Sequence, residues 1–456
     1  MNVLRNIGWF VLLVLGGCVP ERARDLIDEV AREPAIERGS LPTTSSEAET
    51  LDESLQLELD ALQRMAVARD PELAAMAHQA RAMLHVGRAE TELPPPELGV
   101  QVWNLRLTPP YDVSTLDMVM FELRQAFPPG GVRDAMGRAM AEEARAMAAE
   151  IAGREQELRV MVAERHAELT AAVRSRAVFT DLDQVLGRMI EVARARHTVE
   201  GTALDEVVRL EAERAGVIRR IERVDRNAAV ARAALNALLQ RPPGAPFGEP
   251  VDAEARTVHL PLEDLIARME RSRAVLGASR ARIDAARARA EAARTEAERP
   301  DVMLGVTAWY SPMGNDAGVG GMVSVSLPWA TGRARERAAA AAELEAGEDA
   351  AARGSITESR GEVGRALARL AGLERELAVL RSQVRPAAER SVEAMSAAFV
   401  AGRSDLLPWI DALRMALDVR MEEIDVTMEL AMAVAELEEA VGEPLPQVTA
   451  GEEGER

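Results

Sequence analysis

Few residues in this 456-residue chain are of types and spacings that do chemistry. Its five histidines (His78, His85, His166, His197 and His259) include no His-Glu-x-x-His pattern, the arrangement that puts two imidazoles and a general base on one helix face around zinc. No Walker A phosphate loop and no Gly-x-Ser-x-Gly nucleophile elbow occurs. His78 and His85 lie seven apart and could share a helix face, but polar surface or packing roles explain them better. No catalytic apparatus, cofactor or metal is therefore expected. The single cysteine, Cys18, can support neither a disulfide framework nor a thiolate zinc site. Its neighbours suggest another fate. Arg5 supplies a positive start, Ile7 to Leu15 a short apolar run, and Leu15-Gly16-Gly17 a small-residue cleavage site directly before the thiol.

That arrangement resembles the lipobox of bacterial lipoproteins, which implies that residues 1–17 are a signal peptide and that Cys18 becomes the lipid-bearing first residue. Val19 stands where an Asp would signal inner-membrane retention, so outer-membrane sorting is favoured. Residues 18–50 are expected to be a lipidated N-terminus and linker, with 34–50 polar, rich in turn formers and tether-like. No later segment has about 18 consecutive apolar residues, so insertion in a membrane would have to use strands.

Composition points to the elements that carry the rest. The chain is 48% hydrophobic but only 3% aromatic, and runs of Ala, Arg, Glu and Leu indicate long helices packed through small side chains. With 55 basic against 75 acidic residues and a net charge of -20, a nucleic-acid partner is excluded, because phosphate binding rests on cationic neutralisation.

The chain also contains a long duplication. The segments beginning near Pro96 and Pro300 share an order: Pro, an alternating stretch with a Trp, a Pro-containing turn, a second alternating stretch, a Pro stop and a basic helix start. Pro128 to Gly201 is 73 residues and Pro328 to Gly402 is 74. The two repeats cover residues 51–241 and 262–442. Each reads as an opening helix (51–92, interrupted near Pro71, and 261–298), a β-hairpin (97–127 and 301–327), a very long helix (132–197 and 333–399), a tight tip (199–203 and 400–404) and a returning helix. Residues 443–456 are expected to be a disordered acidic tail. The returning helices carry coiled-coil seams at alternating steps of three and four, running from Val207 to Leu238 with only Arg214 polar.

In the hairpins apolar residues alternate with smaller or more polar ones, as in Val302, Leu304, Val306, Ala308 and Tyr310, which suits a sheet with lipid on one side and water on the other. Seven of the 13 aromatics (Trp103, Tyr111, Phe121, Phe127, Trp309, Tyr310 and Trp329) fall in or beside them, fitting an interfacial girdle. Two hairpins leave unpaired edges that hydrocarbon cannot satisfy, so closure needs further copies; three would give twelve strands.

The duplication, the Leu327-Pro328 to Gly332-Arg333 passage, the stretch Phe399-Val400-Ala401-Gly402-Arg403-Ser404-Asp405-Leu406-Leu407, the closing Leu437 to Gly442 and Ala234 to Leu239 with Arg241-Pro242 together resemble the TolC family of outer-membrane efflux factors. The resemblance covers nearly the whole mature chain. It implies a fold that is mainly α with transmembrane β: a homotrimer with a twelve-stranded β-barrel and a twelve-helix α-barrel of antiparallel coiled-coil helices. It further implies an exit duct for solutes delivered by a periplasmic adaptor and an inner-membrane transporter, with adaptor contact at Gly201, Thr202, Gly402, Arg403 and Ser404. Family members carry acidic residues at the constricted periplasmic entrance; Asp411 stands at one such position, and Pro408 replaces the other. The competing readings are a periplasmic adaptor, which normally has one helical hairpin, and a coiled-coil lipoprotein without a channel.

Overall fold

A computed structural model describes residues 20–37, 58–104, 117–200, 204–248, 256–312, 314–401 and 403–449, the side chains of 196–200, 204 and 449 excepted. In chain order, two short helices, α1 (Glu21–Ala31) and α2 (Pro34–Glu37), precede the first repeat. That repeat comprises α3 (Leu59–Arg69), α4 (Pro71–Thr91), β1 (Glu97–Trp103), β2 (Met118–Phe127), α5 (Val132–Glu200) and α6 (Leu204–Leu238). After β3 (Arg256–Thr257) the second repeat has α7 (Leu262–Ser272), α8 (Ala274–Glu298), β4 (Val302–Ser311), β5 (Asp316–Val325), α9 (Arg333–Val379), a π-turn (Leu380–Val384), α10 (Arg385–Val400) and α11 (Leu406–Val441). A last strand, β6 (Val448–Thr449), pairs with β3.

The chain forms two compact units, each drawing on both repeats. The first (residues 1–39, 75–151 and 275–355) holds the sheet, and its helices meet through alanine. Ala80, Ala141, Ala144 and Ala148 pack with Ile27, Val30, Ile36 and Leu84. On α8 the buried face is Leu276, Ala278, Ala281, Ala285, Ala288 and Ala292. Small side chains let helix backbones approach closely, which is how this unit builds a core with few aromatics.

Helix α1 corrects the expectation of a linker over residues 18–50. It buries Ala23, Ile27 and Val30, and Ile36 of α2 is buried beside them, although residues 34–37 were expected in the tether. Two glycines make the slot. A Cβ at Gly137 would lie 2.9 Å from the Ala23 Cβ and 2.7 Å from Thr91 Cγ2, and one at Gly87 would lie 3.3 Å from Ile27 Cδ1. Asp134 accepts the Ala23 N–H at 3.0 Å, an orphan donor of the first turn of α1. Arg88 pairs with Asp28, and Arg145 with Glu29 and Glu33.

The second unit (residues 40–74, 152–274 and 356–456) contains the breaks in both opening helices. Between α3 and α4, Asp70 is extended (φ -68°, ψ 119°) because the following Pro71 disfavours helical geometry, and its carboxylate accepts the Leu73 N–H at 2.9 Å to start α4. The helix expected over 261–298 is broken too, at Arg273 (φ -69°, ψ 120°), with no proline to cause it. Here the end of α11 is responsible. Gly442, left-handed at φ 89°, comes so near that a Cβ on it would lie 2.7 Å from the Arg273 Cα. Arg273 donates to the Ala440 carbonyl at 2.7 Å and pairs with Glu362, while Glu443 accepts from Arg268 and Ser272.

The tail expected to be disordered from residue 443 is ordered as far as 449. Leu445 is buried, Glu438 accepts the Leu445 N–H and the Gln447 side-chain amide, each at 3.0 Å, and β6 pairs with β3. In the seam between α5 and α6, Arg214 is satisfied by a bidentate pair with Asp183 at 2.8 and 3.1 Å.

Candidate membrane face and helical tip

The four long strands form one antiparallel sheet in the order β1-β2-β4-β5, so the two hairpins join through β2 and β4. The register aligns Val100, Phe121, Ala308 and Val319 across all four strands. Because side chains alternate along a strand, that rung defines a face. Leu98, Val100 and Val102 share it with Val119, Phe121, Leu123 and Phe127, then Val302 to Tyr310 at every second position, then Ala317, Val319, Val323 and Val325. Gln125 is its one polar member. This face is exposed, with Val319 79% and Leu98 75% accessible.

The other face carries Glu97, Gln101, Glu122, Arg124, Thr307 and Ser324 among methionines and glycines. Arg124 reaches Glu97 at 3.3 Å and the buried Glu122 at 3.8 Å. Trp309 lies on this side across Gly318, where a Cβ would come within 2.6 Å of its ring. Trp309 and Trp103 thus depart from the girdle expected of them, since register puts both on the polar face; Tyr310, Phe121 and Phe127 are on the apolar one. Tyr111 lies outside the described residues. Among the described residues, nothing pairs with the outer edges of β1 and β5.

The tips are the second candidate region. Cys18, Gly201, Thr202 and Gly402 lie outside the described residues, so geometry is available for Arg403, Ser404 and Asp411. At the second tip, α10 closes with the Ala401 N–H on the Ala397 carbonyl (3.1 Å) and the Arg403 N–H on Ala398 (2.9 Å). Arg403 is exposed, and the Ser404 hydroxyl donates to the Asp405 carbonyl at 3.3 Å. Behind this turn Phe399 stacks on Trp409, centroids 6.4 Å apart, both buried. Pro408 falls in the first turn of α11, where a missing N–H leaves no helical bond unmade.

Asp411 is exposed one turn further on, 3.9 Å from Arg414. Arg414 in turn pairs with Glu213 of α6. Asp411 begins a stripe that sequence reasoning missed: Asp418, Glu422, Asp425 and Glu429 follow at helical steps on the exposed side of α11. Its signal was present as acids seven, eleven, fourteen and eighteen residues after Asp411. Burial, and then repulsion from Glu429, push the Asp425 carboxyl above its ordinary range. Among the described residues, no group of His, Cys, Asp and Glu is arranged to hold a metal ion.

The chain is thus a duplicated helix–hairpin–helix whose strands merge into one sheet, apolar on an exposed face. Residues 265–443 match the Outer membrane efflux protein family, so the second repeat carries that domain. By sequence, no curated protein matches the chain. Among solved structures, CusC is similar at a TM-score of 0.73 and 15% identity, over 85% of this chain and 93% of that one. VceC from Vibrio cholerae gives 0.69 and 19%, over 85% and 97%. The Campylobacter jejuni CmeC outer membrane channel gives 0.69 and 12%, over 90% and 92%. These likenesses establish the fold, and with the family match they bear out the resemblance to the outer-membrane efflux factors.

Proposed function

We propose that this protein is an outer-membrane exit duct, a passive channel through which solutes leave after an inner-membrane transporter and a periplasmic adaptor deliver them. The observation that carries this reading is the exposed apolar face of a sheet with two open edges. Ten large apolar side chains on that face are exposed. Each would gain about 2 kcal/mol on leaving water, together on the order of 20 kcal/mol, more than the stability of a typical domain. Hydrocarbon removes that penalty, and further copies remove the edges. Three copies give twelve strands and, with the paired long helices, the α-barrel of a homotrimer. The exposed start of α9, rich in alanine from Ala338 to Ala342, supports contact between copies.

In this reading Cys18 carries the lipid anchor, the helical part lies in the periplasm, and the tips at Gly201, Thr202, Gly402, Arg403 and Ser404 meet the adaptor. No covalent step is involved: the duct acts through its bore and wall charge. Asp411 contributes a carboxylate per copy to the periplasmic entrance, tempered by its neighbour Arg414. A ring of carboxylates attracts cations and repels anions. The test is to extract the full chain from outer membranes with detergent, examine heat-sensitive trimer migration and record conductance in planar bilayers. A chain that leaves membranes without detergent, or gives no conductance as an intact trimer, sinks the proposal. Within a conducting trimer, Asp411→Ala is expected to raise single-channel conductance or weaken cation block; identical records would remove Asp411 from the entrance.

A further inference from the structure

The one-residue difference between the repeats has a location. In α5 the buried positions Ala172, Ser175, Phe179, Leu182, Leu186, Met189 and Ala193 approach the first tip in three- and four-residue steps without a slip, with Ile190 buried beside Met189. In the second repeat Val363, Ala366, Leu370, Leu373, Leu377 and Leu380 keep the same rhythm. The next buried residue is Ala388 rather than 387, one residue late. The slip falls on the π-turn 380–384, where the Arg385 N–H reaches back to the Leu380 carbonyl. A π-turn is how a helix absorbs a single inserted residue. It accounts for the 74 residues from Pro328 to Gly402 against 73 in the first repeat.

Two further features mark the same point. Pro386 follows at once, and its ring would collide with the Ser382 carbonyl in a regular helix, so the wide turn also accommodates the proline. Residues 381–385 are all exposed, so packing contributes little to holding the turn. What holds it is charge. Arg381 and Arg385 converge from its two sides on Glu423 of α11, at 2.9 and 3.1 Å. The Glu423 side chain is only 15% exposed, and α10 is tied again where Arg420 reaches Glu389 at 3.4 Å. An ion pair at the mouth of an interrupted ladder is an interaction that can open without exposing a core.

We propose that the π-turn 380–384 is a joint in the second helical hairpin, about which α10 and its tip pivot, and that Glu423 is the catch that holds one position of it. Among the described residues, the first hairpin, with its uninterrupted α5, has no such joint. The joint does not depend on the duct reading; its consequence for conduction does.

Hydrogen exchange on the full-length protein in detergent tests the joint. Amides of 381–385 are expected to exchange at least tenfold faster than those of 179–184 in α5. Glu423→Gln should speed exchange severalfold at 381–385 and along α10, while leaving 363–377 unchanged. Equal protection of the two stretches, or an unchanged pattern in E423Q, overturns the proposal. Should E423Q fail to fold, Pro386→Ala carries the test, because restoring an N–H should slow exchange at 381–385; no slowing overturns the joint. In bilayers E423Q is expected to raise the open fraction severalfold. An unchanged open fraction with faster exchange would reject the consequence for conduction alone, and a wild-type chain without conductance would reject the duct reading while the exchange result stands.

Discussion

The two repeats reach the same bend by different means. In the first, Asp70 and Pro71 break the opening helix from within the local sequence: the proline forbids helical geometry at Asp70, and the Asp70 carboxylate caps the first turn of α4. In the second, Arg273 has nearly identical backbone angles, yet neither neighbour demands them. There the bend is imposed by α11, whose last residues occupy the space a straight helix would need. The returning helices differ in the same sense, since left-handed Gln240 follows α6 whereas left-handed Gly442 ends α11. One bend is therefore local and the other tertiary, and they should fail differently.

The largest effect is expected at the tertiary bend. Gly442→Leu adds a side chain where a Cβ already meets the Arg273 backbone, in a conformation that disfavours it, and should destabilise by about 3 kcal/mol or more in denaturant titration. Gln240→Gly should do the opposite, gaining up to about 1 kcal/mol, since only the left-handed angle is relieved. If the two substitutions moved stability equally, the distinction between local and tertiary bends would fail. Pro71→Ala should lose about 0.5–1 kcal/mol, through the unfolded chain, with the bend kept by the Asp70 cap.

Smaller effects should separate the repeats by their response to acid. Hydrogen bonding from Arg214, followed by its charge, holds the Asp183 carboxyl of the first repeat below its ordinary range despite some burial. A lowered folded value means that this carboxylate contributes stability above the unfolded Asp value of about 3.9, which is lost as pH falls through the lower folded value. At the end of the second repeat burial dominates: it pushes Glu438 up, although the Leu445 N–H and Gln447 oppose it. Its contribution is present below the unfolded Glu value of about 4.3 and is lost as pH rises through the folded one. Thermal melts across pH 3–7 should therefore show Asp183→Asn losing ground to wild type as pH rises, and Glu438→Gln gaining on it. Parallel curves would mean that neither environment differs from the unfolded chain.

Legibility followed the same division. The interruption at Pro71 could be read because proline acts on its neighbours, and the apolar face of the strands because alternation is a period that any face must keep, although the register that joins the hairpins could not. Arg273 was invisible, since the cause lies some 170 residues away in the chain. So was the joint at 380–384: the count between Pro328 and Gly402 exposed an extra residue, but only packing tells where it went. The N-terminal helix was passed over for another reason. Its polar residues read as linker, while the slot that receives it is made by two glycines that carry no hydropathy signal. At the tip, Asp411 was read by resemblance, but its neighbour Arg414 and the acids beyond it became one feature only when α11 gave them a common side.

The docking of α1 sets a vertical scale. Cys18 is three residues from Glu21, and three residues of chain reach at most about 11 Å. An acyl chain on that cysteine would sit on a very short leash whose other end is wedged between Gly87 and Gly137. If Cys18 is acylated as proposed, the anchor would do more than prevent escape: it would act as a depth gauge, fixing how far α4 and α5 stand from the lipid surface, and each residue inserted between Cys18 and Glu21 would reset the reading by about 3 Å.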